Sequence, residues 1–208
     1  MHVVLIHGMG RTPVSMLRLR RRLKRAGHVP HLFAYSPTFE TLDGATARLA
    51  RLIERRIGGD RYALVGHSLG AVLIRATLRR LKTPPAACFF LAPPMVACRA
   101  ARYFSRFWLY RLLTGEMGCL LADEAFMRGL PIPPGVLRLY VGTRGPRAAW
   151  LPFGLEENDA ILSVSEATGD CASAVVKVHA LHTFIMHAQP VYEDMLATLA
   201  GLEAAKMT

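Results

Sequence analysis

The stretch Tyr62-Ala63-Leu64-Val65-Gly66-His67-Ser68-Leu69-Gly70-Ala71-Val72-Leu73 decides the fold. Tyr62 to Val65 reads as a buried strand, because both of its faces are apolar. From Leu69 onward the apolar positions Leu69, Val72, Leu73, Ala76 and Leu81 recur at helical spacing, with Arg75, Arg79, Arg80 and Lys82 placed outward. Between strand and helix, Gly66 to Gly70 must turn the chain sharply. A serine at the apex of such a turn takes a strained backbone conformation that lifts its hydroxyl above the sheet. Side chains two positions to either side would clash there, and Gly66 and Gly70 remove the clash. The helix behind Ser68 adds backbone N–H groups and positive potential where an oxyanion would form. The plainer reading is a glycine-rich turn without chemistry; the strand–turn–helix setting favours a nucleophile elbow.

Working outward, Val3-Val4-Leu5-Ile6 is a second buried strand, running into His7-Gly8-Met9-Gly10. Thr12-Pro13 reads as a helix N-cap with proline at N1. Val14, Leu17, Leu19, Leu23 and Ala26 form that helix's apolar flank, with Gly27 as its stop. His31 to Tyr35 is the next strand. A helix follows with Leu42, Ala45, Leu49, Leu52 and Ile53 inward, ended by Gly58-Gly59. Ala87 to Leu91, Val136 to Val141 and Ala174 to Val178 supply three more strands, and Val191 to Leu202 a last helix. Strands alternating with helices mean βαβ units, hence an α/β protein with a mostly parallel sheet of about six strands and helices on both faces. No repeat or linker interrupts the chain, so residues 1–208 read as a single domain. Residues 95–134, rich in aromatic side chains and leucine, are too long for a simple crossover and read as a helical, lid-like insertion.

Composition narrows the classes. Of 208 residues 52% are hydrophobic and 20% charged, too apolar a balance for a disordered chain. The length supports a full core without metal or disulfide. No apolar run is long enough to span a bilayer, and Met1 leads straight into the first strand without a basic leader. A cytoplasmic location is therefore expected. Cys88, Cys98, Cys119 and Cys171 lack the spacing of a zinc site and read as reduced thiols, mostly small core fillers. Neither metal nor organic cofactor is implied. The net charge of +11, from 26 basic and 15 acidic residues, could attract an anionic partner. The basic residues sit opposite apolar stripes with no nucleic-acid motif beside them, so they read as solvated helix faces and no specific nucleic acid is expected.

In a parallel sheet, the ends of the first and third strands share one carboxyl edge. His7-Gly8-Met9-Gly10 thus lies beside Ser68, and we expect an oxyanion hole from the N–H groups of Met9 and Leu69, with His7 holding the loop by a side-chain hydrogen bond. Gly8 supports that loop as Gly66 and Gly70 support the elbow. The plain alternative is an ordinary turn with Met9 as a hydrophobic plug. Five carboxylates compete for the acid: Asp159, Glu156, Glu157, Asp123 and Asp170. Eight histidines compete for the base. A loop just past the last strand suits a side chain serving both serine and leaving group, which favours His182, with His187 the main rival. His67 is taken to point away from the nucleophile.

These residues resemble the α/β-hydrolase superfamily, nearest its bacterial lipase and esterase branch related to inositol-deacylase-like (triacylglycerol lipase-like) hydrolases. The likeness is carried by the opening VVLIHG with Met9 and Arg11 after it, the central GHSLG, the strand FFLAPP, Asn158-Asp159-Ala160-Ile161-Leu162-Ser163-Val164, and Leu181-His182-Thr183-Phe184-Ile185-Met186. The resemblance implies Ser68 as nucleophile, Asp159 as acid and His182 as base, in the family's chain order. It implies a serine hydrolase cleaving carboxylic esters through an acyl-enzyme, its substrate a small-molecule or lipid ester. Acyl transfer, thioester hydrolysis, or a silent binding protein on the same fold are the alternatives. Two departures stand out: Ala160 replaces the usual glycine, and Pro93-Pro94 replaces Pro-His. The insertion, with Arg99, Arg102, Arg106 and Arg111 interleaved, either covers an acyl pocket or rests weakly on an anionic membrane surface. The bland alternative is a core helix with its arginines wet. The sequence names no oligomeric state.

Overall fold

Every residue from Val3 to Ile6 is fully buried, and so are those of Ala87–Leu91, because these strands are covered on both faces. In the computed structural model, which describes residues 1–151, 153–171 and 174–205, six strands form one sheet: β1 (His2–Ile6), β2 (Val29–Phe33), β3 (Tyr62–His67), β4 (Ala87–Leu91), β5 (Val136–Gly142) and β6 (Val175–Val178). The far end of the domain read over 1–208 lies outside the described residues. The order is β2-β1-β3-β4-β5-β6 and every pairing is parallel.

Side-chain alternation sorts the core into two layers. Val4, Ile6, Leu64 and Phe90 face the helices α2 (Leu42–Arg56) and α3 (Leu69–Thr77). Val3, Leu5, Val65 and Phe89 face α1 (Leu17–Arg25) and α8 (Gln189–Ala204). Helix α2 starts where Thr41 accepts a hydrogen bond from Gly44 N at 3.1 Å and stops ahead of Gly58, whose φ is +64°.

Three expectations shift. The second strand runs Val29–Phe33, two residues earlier than read. Pro30 is tolerated because β2 is an edge strand, and Tyr35 leaves the sheet to reach His7. Residues Pro13–Met16 form a 3₁₀ turn before α1; the Thr12 side chain caps nothing, while its carbonyl accepts from both Ser15 N and Ser15 Oγ. Val14 is consequently 68% exposed rather than inward, and Ala26 is exposed too. Helix α3 ends at Thr77, and Arg75, expected outward, is only 2% exposed. The cause is residues 95–134, which cover the outer side of α3. They hold α4 (Arg99–Phe104), α5 (Trp108–Leu120, broken at Gly115) and α6 (Glu124–Gly129). The Arg75 guanidinium donates to the carbonyls of Met95, Met127, Leu130 and Pro131 at 2.8–3.3 Å. It thereby supplies donors to carbonyls that would otherwise be orphaned around α6. A short helix α7 (Val164–Thr168) precedes β6.

The chain runs from β1 outward to β2, then returns to lay β3 on the other side of β1. The carboxyl ends of β1 and β3 therefore flank a topological switch point, the usual crevice for a ligand in an open parallel sheet.

Candidate active site

Ile6 pairs with Gly66, so the chains leaving β1 and β3 emerge side by side. Ser68 caps α3 with φ 51° and ψ −119°, a conformation that side chains avoid. A Cβ on Gly66 would lie 2.6 Å from Ala71 N, and one on Gly70 would lie 2.6 Å from Ile6 O. Gly66 thus clears the turn itself, whereas Gly70 lets α3 sit against β1. Leu69 N and Met9 N, at the two loop ends, donate to no backbone carbonyl among the described turns and loops. His7 is fully buried, with Nδ1 3.1 Å from Gly8 O and its ring stacked 4.5 Å from Tyr35, whose hydroxyl donates to His7 O at 2.9 Å. Burial lowers the His7 pKa, so the neutral ring donates through Nδ1.

Asp159 and His182 meet behind this edge. Asp159 Oδ2 lies 2.8 Å from His182 Nδ1, with the carboxylate 1% exposed. Its other oxygen accepts from Ile161 N (3.0 Å) and Leu162 N (2.7 Å), and His182 N donates to Asp159 O at 3.0 Å. With Nδ1 donating to the carboxylate, Nε2 is left as a proton acceptor. Asn158 locks the loop from below: its amide donates to Pro146 O and Glu156 O, and its oxygen accepts from Ala160 N. Ala160, where the family pattern has glycine, takes φ +80°, so the turn keeps its left-handed form at the cost of strain. Gly142, at the end of β5, admits both loops, since a Cβ there would lie 2.7 Å from that of Asp159.

The rival acids are occupied elsewhere. Glu156 pairs with Arg99, Glu157 with Lys177 and Arg147, and Asp123 caps α6 through Phe126 N; Asp170 borders a separate cleft beside Arg75. His187 closes the 3₁₀ turn that begins at His182 and is absent from the walls of the cavity at Ser68. His67 does not turn away. Alternation places it on the same face as Val65, where residues 182–187 pack, and its Nε2 donates to His182 O at 3.0 Å. Burial, reinforced by His182, lowers its pKa to about 3, so His67 serves as a neutral donor.

Ser68 and His182 line one cavity of about 360 Å³, together with Met9, Pro94 and, from 95–134, Cys98, Ala101, Phe104, Tyr110 and Leu121. Among the described residues the Asp159–His182 link is a hydrogen bond, while Ser68 and His182 are joined by this shared wall. Burial pushes the Cys98 thiol up to about 12, leaving an unreactive apolar wall. The insertion's other side is apolar and wet: Phe107, Trp108, Leu109, Leu112 and Leu113 are all exposed. Among the described residues, no three His, Cys, Asp or Glu side chains are placed to hold a metal ion, and no helix is long and apolar enough to cross a membrane.

Residues 3–202 match the model of the alpha/beta hydrolase family. The chain belongs to this family. No curated protein matches the chain. The mature lipase BlEst2 of Bacillus licheniformis is similar in fold, with a TM-score of 0.71 at 16% identity over 93% of this chain and 91% of that one. So is the thioesterase RedJ of the prodiginine pathway in Streptomyces coelicolor, with a TM-score of 0.61 at 18% identity over 97% and 85%. A structure from work on carboxylesterases of Nitrososphaera gargenis gives 0.65 at 11% identity over 98% and 91%.

Within this alpha/beta hydrolase, further residues hold the edge together. Tyr35 bonds the end of β1 and His67 the loop of His182; neither the strand pattern around Tyr35 nor the elbow around His67 marks these contacts. Glu166 did carry a signal, since Ser163-Val164-Ser165-Glu166 is a capping-box pattern. Both halves of the box form, and Glu166 also accepts from Arg99 N at 2.6 Å, tying the start of α4 to the segment that follows Asp159.

Proposed function

We propose that this alpha/beta hydrolase is a serine hydrolase of carboxylic esters, with Ser68 as nucleophile, His182 as base and Asp159 as its orienting acid. The observation that carries the reading is the buried Asp159–His182 hydrogen bond, which leaves Nε2 as an acceptor on the wall of the cavity that Ser68 also lines. Ser68 Oγ attacks the ester carbonyl as its proton passes to His182 Nε2, and Asp159 stabilises the imidazolium. The N–H groups of Met9 and Leu69 take the charge on the tetrahedral oxygen. His182 gives the proton to the departing alcohol, leaving an acyl-Ser68 that water, deprotonated by His182, cleaves to acid and free serine. Phe104, Tyr110, Ala101 and Leu121 wall an acyl pocket, which supports apolar acyl groups over acetyl.

The exposed Trp108, Leu109 and Leu112, with Arg106 and Arg111 between or beside them, support a weak contact of the insertion with an anionic lipid surface. The fold likeness to the thioesterase RedJ supports thioesters as a second substrate class for the same three residues. Turnover of p-nitrophenyl esters of graded chain length is the test. Activity rising from acetate to octanoate in the wild type and lost in Ser68→Ala is expected. Equal turnover in Ser68→Ala, or failure of a fluorophosphonate to label Ser68, overturns the assignment.

A further inference from the structure

The walls of the Ser68 cavity carry one fixed charge among the described residues, and it is positive. Arg11 lines the cavity beside Met9 and Thr183, and no carboxylate joins it in the wall. Gly10, at φ +62°, and the turn closed by Arg11 N on Gly8 O bring the arginine back over the end of β1. Arg99, on the insertion side, is by contrast paired with Glu156, and Arg102 with Glu124. Arg11 forms no ion pair with any described residue. A guanidinium on this wall, with no carboxylate partner among the described residues, presents its fork of donors to an anion that enters the cavity.

Its position also says which part of a ligand it would meet. The apolar wall comes from α4, α5 and Leu121, on the insertion side. Arg11 stands on the other side, with the base: it lines the cavity with His182 and Thr183, and α1, into which its loop leads, packs against the 182–187 turn. A base that hands its proton to the leaving group must have that group next to it. We propose that Arg11 forms an anionic subsite on the leaving-group side, so that the substrate is an apolar acyl ester or thioester whose alcohol or thiol portion carries a phosphate. This rests on the hydrolase reading above and names its substrate class.

Two measurements on the intact protein separate this inference from that reading. In the first, kcat/KM is compared for 1-octanoyl-glycerol 3-phosphate against 1-octanoyl-glycerol, and for S-octanoyl-phosphopantetheine against S-octanoyl-pantetheine. The wild type is expected to favour the phosphorylated member of at least one pair by about tenfold or more, and Arg11→Gln to bring that ratio close to unity, with Arg11→Lys between them. Whichever pair responds distinguishes a phospholipid-type ester from a phosphopantetheine thioester. In the second, binding of octyl phosphate and of uncharged octyl glycerol ether is measured by calorimetry in wild type, Ser68→Ala and Arg11→Gln, which needs no turnover. Tighter binding of octyl phosphate to wild type and Ser68→Ala than to Arg11→Gln supports the subsite even if no ester is cleaved, in which case the hydrolase reading fails alone. Equal binding of the two octyl ligands by the wild type, or the same preference in Arg11→Gln, overturns the subsite.

Discussion

Gly8 packs directly on Ser68: a Cβ placed on Gly8 would lie 3.0 Å from the Cβ of Ser68 and 2.9 Å from His67 Nδ1. The loop after β1 and the turn after β3 are therefore a single packed unit, although nearly sixty residues of chain lie between them. Adding a methyl group at Gly8 must push the Met9 loop away from the elbow, because the His67 ring, His67 O and Ser68 Cβ all crowd it within 3.0 Å. Gly8→Ala should lose at least about tenfold in kcat with a smaller change in KM, the signature of a displaced oxyanion donor rather than of lost substrate binding. A fall in KM affinity alone would show that the Met9 N–H takes no part.

Asp159 holds His182 with Nδ1 protonated and Nε2 free. Asp159→Asn presents an amide that can donate to Nδ1 and so reverse the tautomer, turning Nε2 into a donor with nothing to abstract. A drop in kcat on the order of 10⁴-fold, with the fold kept, is the outcome expected of an orienting carboxylate. Circular dichroism and p-nitrophenyl ester turnover on the same sample check it; activity within tenfold of wild type would move the acid elsewhere.

The central strands were legible because burial on both faces writes them as uninterrupted apolar runs, as in Val3–Ile6 and Ala87–Leu91. The edge strand β2 was read two residues late because Pro30 looks like a boundary, and only its unpaired side makes it harmless. Arg75 was misread for a deeper reason. Helical periodicity reports which positions can be buried together, and it is silent on what another segment lays over the opposite face. Residues 95–134 cover α3 on the side expected to be wet, so an arginine became an interior donor. At the candidate site, Ser68 announced itself through local turn geometry. Asp159 and His182 lie 23 residues apart in sequence and meet only because β5 and β6 deliver their loops together. Resemblance singled out Asp159 as the candidate acid where spacing alone left five carboxylates open. His67 and Tyr35 act through contacts with distant loops and left no local pattern.

Ala160 occupies a left-handed position at φ +80°. For an alanine this costs about 1–2 kcal/mol, partly offset on replacement by the greater freedom glycine gains in the unfolded chain. Ala160→Gly should therefore raise stability by up to about 1 kcal/mol, read as a higher urea midpoint at unchanged m. Destabilisation would mean that the acid loop does not use this turn.

Arg75 supplies four carbonyls from inside the protein. Arg75→Met keeps much of the volume and leaves those acceptors unanswered, a loss of about 3–5 kcal/mol by analogy with other buried charged hydrogen-bond centres. Arg75→Lys should recover little, since one ammonium cannot spread across the four. Hydrogen exchange should show protection lost first in α6 and residues 130–134, with β1, β3 and β4 affected only at global unfolding.

His67 makes the fold sensitive to acid. Its folded pKa is lowered to about 3 from an ordinary 6.5, by burial first and by the neighbouring His182 second. Between those values the unfolded chain binds a proton that the folded one refuses, so stability rises with pH across the window and is lost as pH falls through it. Above about pH 6.5 the two states bind this proton equally and the dependence ends. Each unit inside the window can cost up to about 1.4 kcal/mol from this ring, and burial of His7 acts in the same direction. Urea unfolding at pH 7.5, 6.5 and 5.5 should show a steep fall over the last step, and His67→Gln, which retains a donor for His182 O without a titrating ring, should flatten it. An equal slope in wild type and His67→Gln would mean that this imidazole is not held neutral, and that the support beneath His182 is of another kind.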